Sequence, residues 1–354
     1  MSDAVWSEER TTPEAAADAL RELVHERHTE NGGYSPARTI NMVAFVDRQY
    51  SGEVANRLRG VGRYHASRLI VLAYEPRREH IDARVSVSAD EEPAPGEISL
   101  LHESVVIELG KKHMEHIATV VDPLVVTDLP TLLWSPHGHH DAIEALAPLG
   151  QAVLLDSVED PVWREALDWA GTLSGRLYVV DLAWLRSTPW RERIAGAFAR
   201  PQRSSELDTI ARVTIRHHPQ FTVTAMLLVG WLASRLGWQV EPLAVHAGTR
   251  AVVSGNAHAR RQDISLSLQS MPDQQVPGLA GVTLETASGR LLTLDRGPGG
   301  LEAEERTPHG DARRWMILGA SRGEGGILGE GIRQALLRDP TYAPALRAAT
   351  AMAA

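Results

Sequence analysis

Ile40-Asn41-Met42-Val43-Ala44-Phe45-Val46, then Glu53 to Gly62, then Leu69-Ile70-Val71-Leu72-Ala73 is the stretch on which the fold turns. The two apolar runs have strand length and carry no polar alternation, so each reads as a strand buried on both faces. Between them Val54, Leu58 and Val61 fall on one side of a helix. Ser51 is the nearest hydroxyl able to cap that helix, and Glu53 suits its first turn. Upstream, Thr11-Thr12-Pro13-Glu14 opens a helix with apolar stripe Ala16, Leu20, Leu23 and Val24, ended by Asn31-Gly32-Gly33.

Downstream the alternation continues. Ala83, Val85 and Val87 alternate with polar neighbours, which predicts a half-exposed strand before the loop Asp90 to Gly96. Val105 to Leu109, Leu124 to Val126, Thr131 to Trp134, Val153 to Leu155 and Leu177 to Val180 read as further short buried strands, with helical patterns between them. Such a pattern predicts an α/β layer with a mixed, partly parallel sheet.

From Trp238 onward the pattern changes. Ile264, Leu266 and Leu268 alternate with serines, and Val282 to Thr286 and Leu291 to Leu294 flank the turn Ser288-Gly289. Gly297-Pro298-Gly299-Gly300 is a second turn. This is the grammar of an antiparallel β meander, closed by an amphipathic helix from about Ile327 to Leu337. The expected organisation is an α/β domain over 1–160 and an α+β domain over 161–354, with Ser157 to Pro161 as the linker candidate.

The chain has 354 residues, 43% of them hydrophobic, enough for two domains with real cores. A formal charge of −9 argues against nucleic acid or an anionic membrane as partner. With no cysteine, disulfides, thiol catalysis and thiol switches are excluded. Met1 to Arg10 carries no apolar run, so no signal peptide is expected. The longest charge-free apolar stretch, Pro219 to Ser234, falls short of a bilayer span and reads as a buried core helix. These features together predict a cytoplasmic protein.

Nine tryptophans stand against three phenylalanines. Two of them lie in Asp181-Leu182-Ala183-Trp184-Leu185-Arg186-Ser187-Thr188-Pro189-Trp190-Arg191-Glu192-Arg193, interleaved with Arg186, Arg191 and Arg193. Trp and Arg carry much of the energy of protein–protein contacts. The plainer reading has Thr188 capping a helix that starts at Pro189, with Trp184 filling the core.

Other clusters read weakly. His137-Gly138-His139-His140-Asp141 follows a buried strand and holds imidazoles, yet metal ligands normally converge from several elements, and Asp141 is placed to cap a helix from Ala142. A strand-to-helix loop, open to a ligand without metal, is the better reading. His113 and His116 lack the spacing of a zincin and read as a solvated helix face. Gly323 to Gly329 has one residue too many for a dinucleotide fingerprint and reads as a tight turn. Arg57, Arg59, Arg63 and Arg68 lie in acid-free text and suit either an anionic partner or a solvated face.

Several segments resemble one family. They are Ala37-Arg38-Thr39-Ile40-Asn41-Met42-Val43, Asn56-Arg57-Leu58 with Gly62-Arg63-Tyr64-His65, Val121 to Val126, Asp128 to Thr131, Trp134-Ser135-Pro136-His137-Gly138, Asp181 to Arg193, and Gly230 to Ser234. In these the chain is similar to the OpcA family of glucose-6-phosphate dehydrogenase assembly proteins. The resemblance implies a non-catalytic protein that binds glucose-6-phosphate dehydrogenase and raises its activity, with no catalytic residue, cofactor or metal of its own. Some relatives are controlled through cysteine thiols, a mode closed to this chain. Partner contacts are then expected at Arg57, Arg59, Arg63, Trp134, His137, Trp184, Arg186, Trp190 and Arg191. The alternative is an enzyme acting on a sugar phosphate through the His137 loop and the Arg57 to Arg63 patch. A passive scaffold is a third possibility.

Overall fold

The computed structural model describes residues 4–30, 38–62, 67–89, 101–199, 201–248, 251–260, 262–318 and 323–354. The expected helix end at Asn31 to Gly33 and the loop Asp90 to Gly96 lie outside the described residues. The chain divides into two units, Met1–Leu155 with Arg176–Val180 and Leu328–Leu337, and Asp156–Gly175 with Asp181–Ile327 and Arg338–Ala354.

In the first unit, β1 (Ala4–Glu8) and α1 (Pro13–Glu30) precede the β2 (Ile40–Asp47), α2 (Ser51–Gly62), β3 (Ser67–Tyr74) crossover. Then come β4 (Asp82–Ala89), β5 (Leu101–Leu109), α3 (Ile117–Val121), β6 (Thr131–Trp134), α4 (His140–Leu146), β7 (Ala152–Leu155) and β8 (Tyr178–Asp181). Spatially the strands run β1-β4-β5-β3-β2-β6-β7-β8. The pairs β5·β3, β3·β2, β2·β6 and β6·β7 are parallel, whereas β4 and β1 add on antiparallel. The six strands from β5 to β8 thus follow the doubly wound nucleotide-binding order, with its switch point between β2 and β6. Burial of Ile40, Met42 to Val46 and Leu69 to Ala73 on both sheet faces is what a central parallel strand requires.

One expected strand is absent. Asp122–Leu124 is a 3-10 turn, and the chain after it runs irregularly to β6. Its apolar residues are held instead by Asn41, buried inside β2. The Asn41 amide donates to the Val126 carbonyl at 2.9 Å, and its oxygen accepts from the Val126 N–H at 3.0 Å. A side chain thus supplies the partners that a neighbouring strand would have supplied. β1 was not expected from sequence, because Ala4–Glu8 is short, largely exposed and has no apolar run.

The second unit begins with α5 (Trp163–Ser174), α6 (Leu182–Arg186), α7 (Thr188–Phe198) and α8 (Pro201–Ser204). They lead into β9 (Ile210–His217) and α9 (Thr222–Leu236). The sheet is completed by β10 (Gln239–Val240), β11 (Ala244–His246), β12 (Val252–His258), β13 (Asp263–Ser270), β14 (Leu279–Thr286), β15 (Leu291–Gly297), β16 (Gly300–Arg306) and β17 (Ala312–Leu318). Then α10 (Gly323–Leu337) and α11 (Tyr342–Ala353) end the chain. Strand order is β10-β12-β13-β9-β14-β15-β16-β17, with β11 also on β12.

The meander from β14 to β17 is antiparallel, with Gly289 and Gly299 at positive φ in its first two turns. The sheet as a whole is mixed, because β9 enters its centre parallel to β13. Sequence reading placed the start of this sheet too late. Ile210, Val213, Ile215 and His217 are buried while Arg212, Thr214 and Arg216 face away, a period-two signal that the sequence reading passed over. The buried face meets α9, whose residues from Thr222 to Gly230 are all buried, as a helix apolar on every side requires. Across α9 lies α11, and Gly230 sits at their contact.

Candidate functional site

A doubly wound sheet presents its ligand crevice beyond the carboxyl ends of the strands at the switch point. Here that place is built from Asp47-Arg48-Gln49-Tyr50 after β2 and Ser135 to His139 after β6. Side chains cross it. The rings of Tyr50 and His137 lie 4.4 Å apart, and His139 packs edge-on against Phe45 at 4.9 Å. Tyr74 at the end of β3 closes on Phe45 at 5.5 Å. The His139 Nε2 lies 3.3 Å from the Asp47 carboxylate, near enough for an ion pair but poorly aligned for a hydrogen bond. Burial pulls the His139 imidazole below its ordinary value, although Asp47 pulls the other way.

The frame implies a dinucleotide, so its fit can be tested on these residues. Pyrophosphate approach needs a glycine-rich turn after the first strand. The turn after β2 offers Arg48, Gln49 and Tyr50, and the first glycine, Gly52, already lies within α2. Ribose recognition needs a free acid at the end of the second strand. Glu75 stands there, but Arg78 holds it at 3.0 Å, and Arg48 lies at 3.6 Å from it and 2.9 Å from Glu108. The residues present do not fit a dinucleotide: its phosphate turn is missing and its ribose acid is paired.

Of the expected contact residues, Arg57 and His137 are exposed, at the rim of this crevice. The Arg57 guanidinium lies over the Trp134 ring at 5.7 Å, while Trp134 itself is buried as the last residue of β6. Arg63 and the side chain of Arg59 lie outside the described residues. Arg68 is not part of an open patch. It donates to the buried Glu103 at 2.8 Å and to the Leu124 carbonyl at 2.9 Å, and Arg38 takes the other Glu103 oxygen.

The Asp181 to Arg193 segment forms the end of β8, α6 and α7. Asp181 caps α6, accepting from the Ala183 N–H at 2.9 Å, and also accepts from Ser157 Oγ at 2.7 Å and Tyr342 Oη at 3.2 Å. Burial pushes its carboxyl up to about 6 against the pull of the Ser157 and Ala183 donors. Trp184 and Trp190 are buried. Arg186 makes a bidentate pair with Asp156 at 2.6 and 2.7 Å. Thr188 does not cap α7; Ser187 precedes it without a side-chain capping bond, and the Thr188 hydroxyl accepts from Arg191 at 2.9 Å. Sequence alone marked these residues but none of their distant partners, Asp156, Asp339 and Tyr342, because nothing local announces a contact across the chain.

The remaining clusters are structural. His140 opens α4 after His139, and Asp141 lies in its first turn rather than capping it. His113 and His116 sit on a 3-10 turn, where the His113 Nδ1 accepts from the Gly110 N–H at 3.0 Å. Among the described residues no three of His, Cys, Asp and Glu converge as metal ligands. Among the same residues no helix is long and apolar enough to cross a membrane. Gly323, at positive φ, starts α10.

The two units are thus a doubly wound α/β layer and a mixed sheet backed by helices. At fold level a solved structure agrees: apo scyllo-inositol dehydrogenase from Lactobacillus casei superposes with a TM-score of 0.50, at 11% identity, over 90% of this chain and 96% of that one. That likeness concerns architecture alone.

Sequence families are more specific. Residues 59–168 match the glucose-6-phosphate dehydrogenase subunit N-terminal domain, and residues 177–346 match the corresponding C-terminal domain. The chain belongs to the OpcA glucose-6-phosphate dehydrogenase assembly family. The OpcA protein of Synechococcus elongatus, tied by its name to the OxPP cycle, is 31% identical over 39% of this chain and 32% of its own length. The OpcA protein of Nostoc punctiforme is 29% identical over 46% of this chain and 36% of its own. The matched segments thus span about a third of these relatives.

Proposed function

We propose that this chain is a non-catalytic accessory protein of the cytoplasm that binds glucose-6-phosphate dehydrogenase and promotes its assembly and activity in the oxidative pentose phosphate pathway. The observation that carries the reading is a switch point with neither a glycine-rich phosphate turn nor a free ribose acid. Tyr50 and His137 meet where a dinucleotide would enter, in a chain whose two halves match domains described as glucose-6-phosphate dehydrogenase subunits. A dehydrogenase-like frame without a nucleotide crevice favours contact over hydride transfer. Arg57 and His137 at the rim are the proposed contact residues with open faces, whereas Trp134, Trp184 and Trp190 are buried and Arg186 and Arg191 are bound to other groups of the chain.

Such an effector acts only by binding the active assembly of the dehydrogenase more tightly than the inactive one. Mixing the two purified proteins tests this. The complex should elute ahead of either component, and the rate per dehydrogenase should rise with added chain to a plateau. Sugar-phosphate oxidation by the chain alone, or co-elution with no rate change, would refute the activator reading.

A further inference from the structure

In the first unit a cavity of about 280 Å³ opens between the turn Glu9-Arg10 after β1 and the loop Glu75 to Asp82 that joins β3 to β4. Every described residue that lines it is ionisable: four acids, three arginines and a histidine. No apolar side chain is among them, so a nucleotide base or another apolar ligand finds no surface to pack on.

The frame of the cavity is fixed by its own charges. Arg78 donates to Glu75 at 3.0 Å and pairs also with Asp82 and Glu108, while Arg48 stands on the far side of the same acids. Gly110 brings the end of β5 against this loop, where a Cβ would fall on the Arg78 carbonyl. The turn after β1 is pinned as well. The Arg10 N–H donates to Asp82 at 2.8 Å, and the Thr11 N–H donates to the Ile81 carbonyl at 2.9 Å. Arg10 is thereby held at a φ of 54°, which a residue other than glycine keeps only where its surroundings impose it.

Glu75 and Asp82 are thus spent on Arg78 and Arg48, and Glu79 lies 3.3 Å from Lys112. Arg10, Arg77 and His80 are exposed, and among the described residues none of the three has an ion-pair partner. A rigid frame therefore offers two guanidinium groups and an imidazole, with the carboxylates of Glu9 and Glu79 beside them.

We infer that this cavity binds a phosphorylated sugar, one phosphate group on a polyhydroxyl body. Guanidinium groups take phosphate oxygens in bidentate fashion, which gives Arg10 and Arg77 their role. Carboxylates accept hydrogen bonds from hydroxyls and repel a second phosphate, so Glu9 and Glu79 select a sugar with a single phosphate over a bisphosphate or a nucleic-acid strand. The volume falls just below the roughly 300–1,000 Å³ of ordinary ligand pockets, which suits about one sugar ring. The site shares no residue with the Arg57 and His137 rim and does not rest on the dehydrogenase reading.

Equilibrium dialysis of the full chain alone, in low-salt buffer free of phosphate, tests it with glucose 6-phosphate as the probe. The probe should saturate one site. Inorganic phosphate, which lacks the hydroxyls, should bind about tenfold more weakly or worse, and glucose should not bind. Arg77→Ala, on an exposed loop, should weaken the probe about tenfold or more. Arg10→Asn should do the same, because asparagine accepts the left-handed backbone, and it decides the matter if Arg77→Ala misfolds. Far-UV circular dichroism checks the fold of each variant. No saturable binding at millimolar probe, equal affinity for phosphate and glucose 6-phosphate, or wild-type affinity in either folded variant overturns the inference. With no dehydrogenase in the dialysis, these outcomes are independent of whether the chain activates that enzyme.

Discussion

The guanidinium of Arg191 lies 3.5 Å from the ring centre of Trp184, whose indole N–H donates to Asp339 at 2.9 Å. Arg191 also donates to Ser187 Oγ at 3.0 Å and to Thr188 Oγ1 at 2.9 Å. Burial pulls it down to about 10, still charged at neutral pH. The residue types that suggested a binding hot spot are here spent on each other. Asp339 stands 155 residues from Trp184 in sequence, so the sandwich joins the start of α6 to the approach of α11.

Arg191→Ala should therefore act on stability. The variant loses the stack, its hydrogen bonds and the 3.9 Å pair with Asp339, at about 3 kcal/mol, the scale of a broken buried pair. Arg186→Ala should behave alike, since it removes both guanidinium bonds from the half-buried Asp156. Chemical denaturation reads both. Midpoints equal to wild type, combined with lost affinity for the dehydrogenase, would restore these arginines as contact residues.

Asp181 makes stability depend on pH. Its folded-state carboxyl, raised to about 6 by burial, sits above the ordinary aspartate value. The resulting stability is fully present below about pH 4 and is lost as pH rises through about 6. A shift of this size corresponds to roughly 3 kcal/mol. Asp181→Asn has nearly the same shape, and the Ser157 and Tyr342 hydroxyls can turn to accept from its amide. Melting from pH 4 to 7 should show wild type losing stability relative to the variant. Parallel curves would mean that Asp181 ionises normally in the fold.

Gly230 in α9 separates space from propensity. A Cβ added there would stand 2.2 Å from the Ala345 carbonyl oxygen of α11. Glycine to alanine in a helix ordinarily gains up to about 1 kcal/mol, but overpacking of this kind costs about 1–3 kcal/mol and should win. Gly196→Ala in α7, where nothing lies within 4 Å, should stabilise instead. Urea midpoints moving in opposite directions are the expected result. A Gly230→Ala variant as stable as wild type would show that the two helices can part.

The missing phosphate turn and the paired Glu75 predict that titration with NAD or NADP gives no saturable change in tryptophan emission, with Trp134 at the end of β6 as the reporter. Saturation in the micromolar range would show that a nucleotide has a place here after all.

Local pattern carried the first unit because its signals are local. Ile40 to Val46, the Val54, Leu58 and Val61 stripe and Leu69 to Ala73 each declare a period within a few residues, and β2, α2 and β3 stand where those periods put them. The second sheet was legible from β13 onward for the same reason, while the alternation in β9 was passed over and only the pairing with β13 and β14 puts that strand at the centre. The composition of the Asp181 segment marked it as special, yet sequence could not say whether Trp184 and Arg191 face outward or inward. That depended on Asp339 and Tyr342 arriving from the far end of the chain. Equally, the turn after β2 shows that glycines are missing, but only the meeting of two loops from separate strands shows Tyr50 against His137. Periodicity is a property of neighbours in sequence, whereas burial and pairing are properties of neighbours in space. The strands and helices were therefore written locally, and the tertiary structure alone decided which face each functional candidate presents.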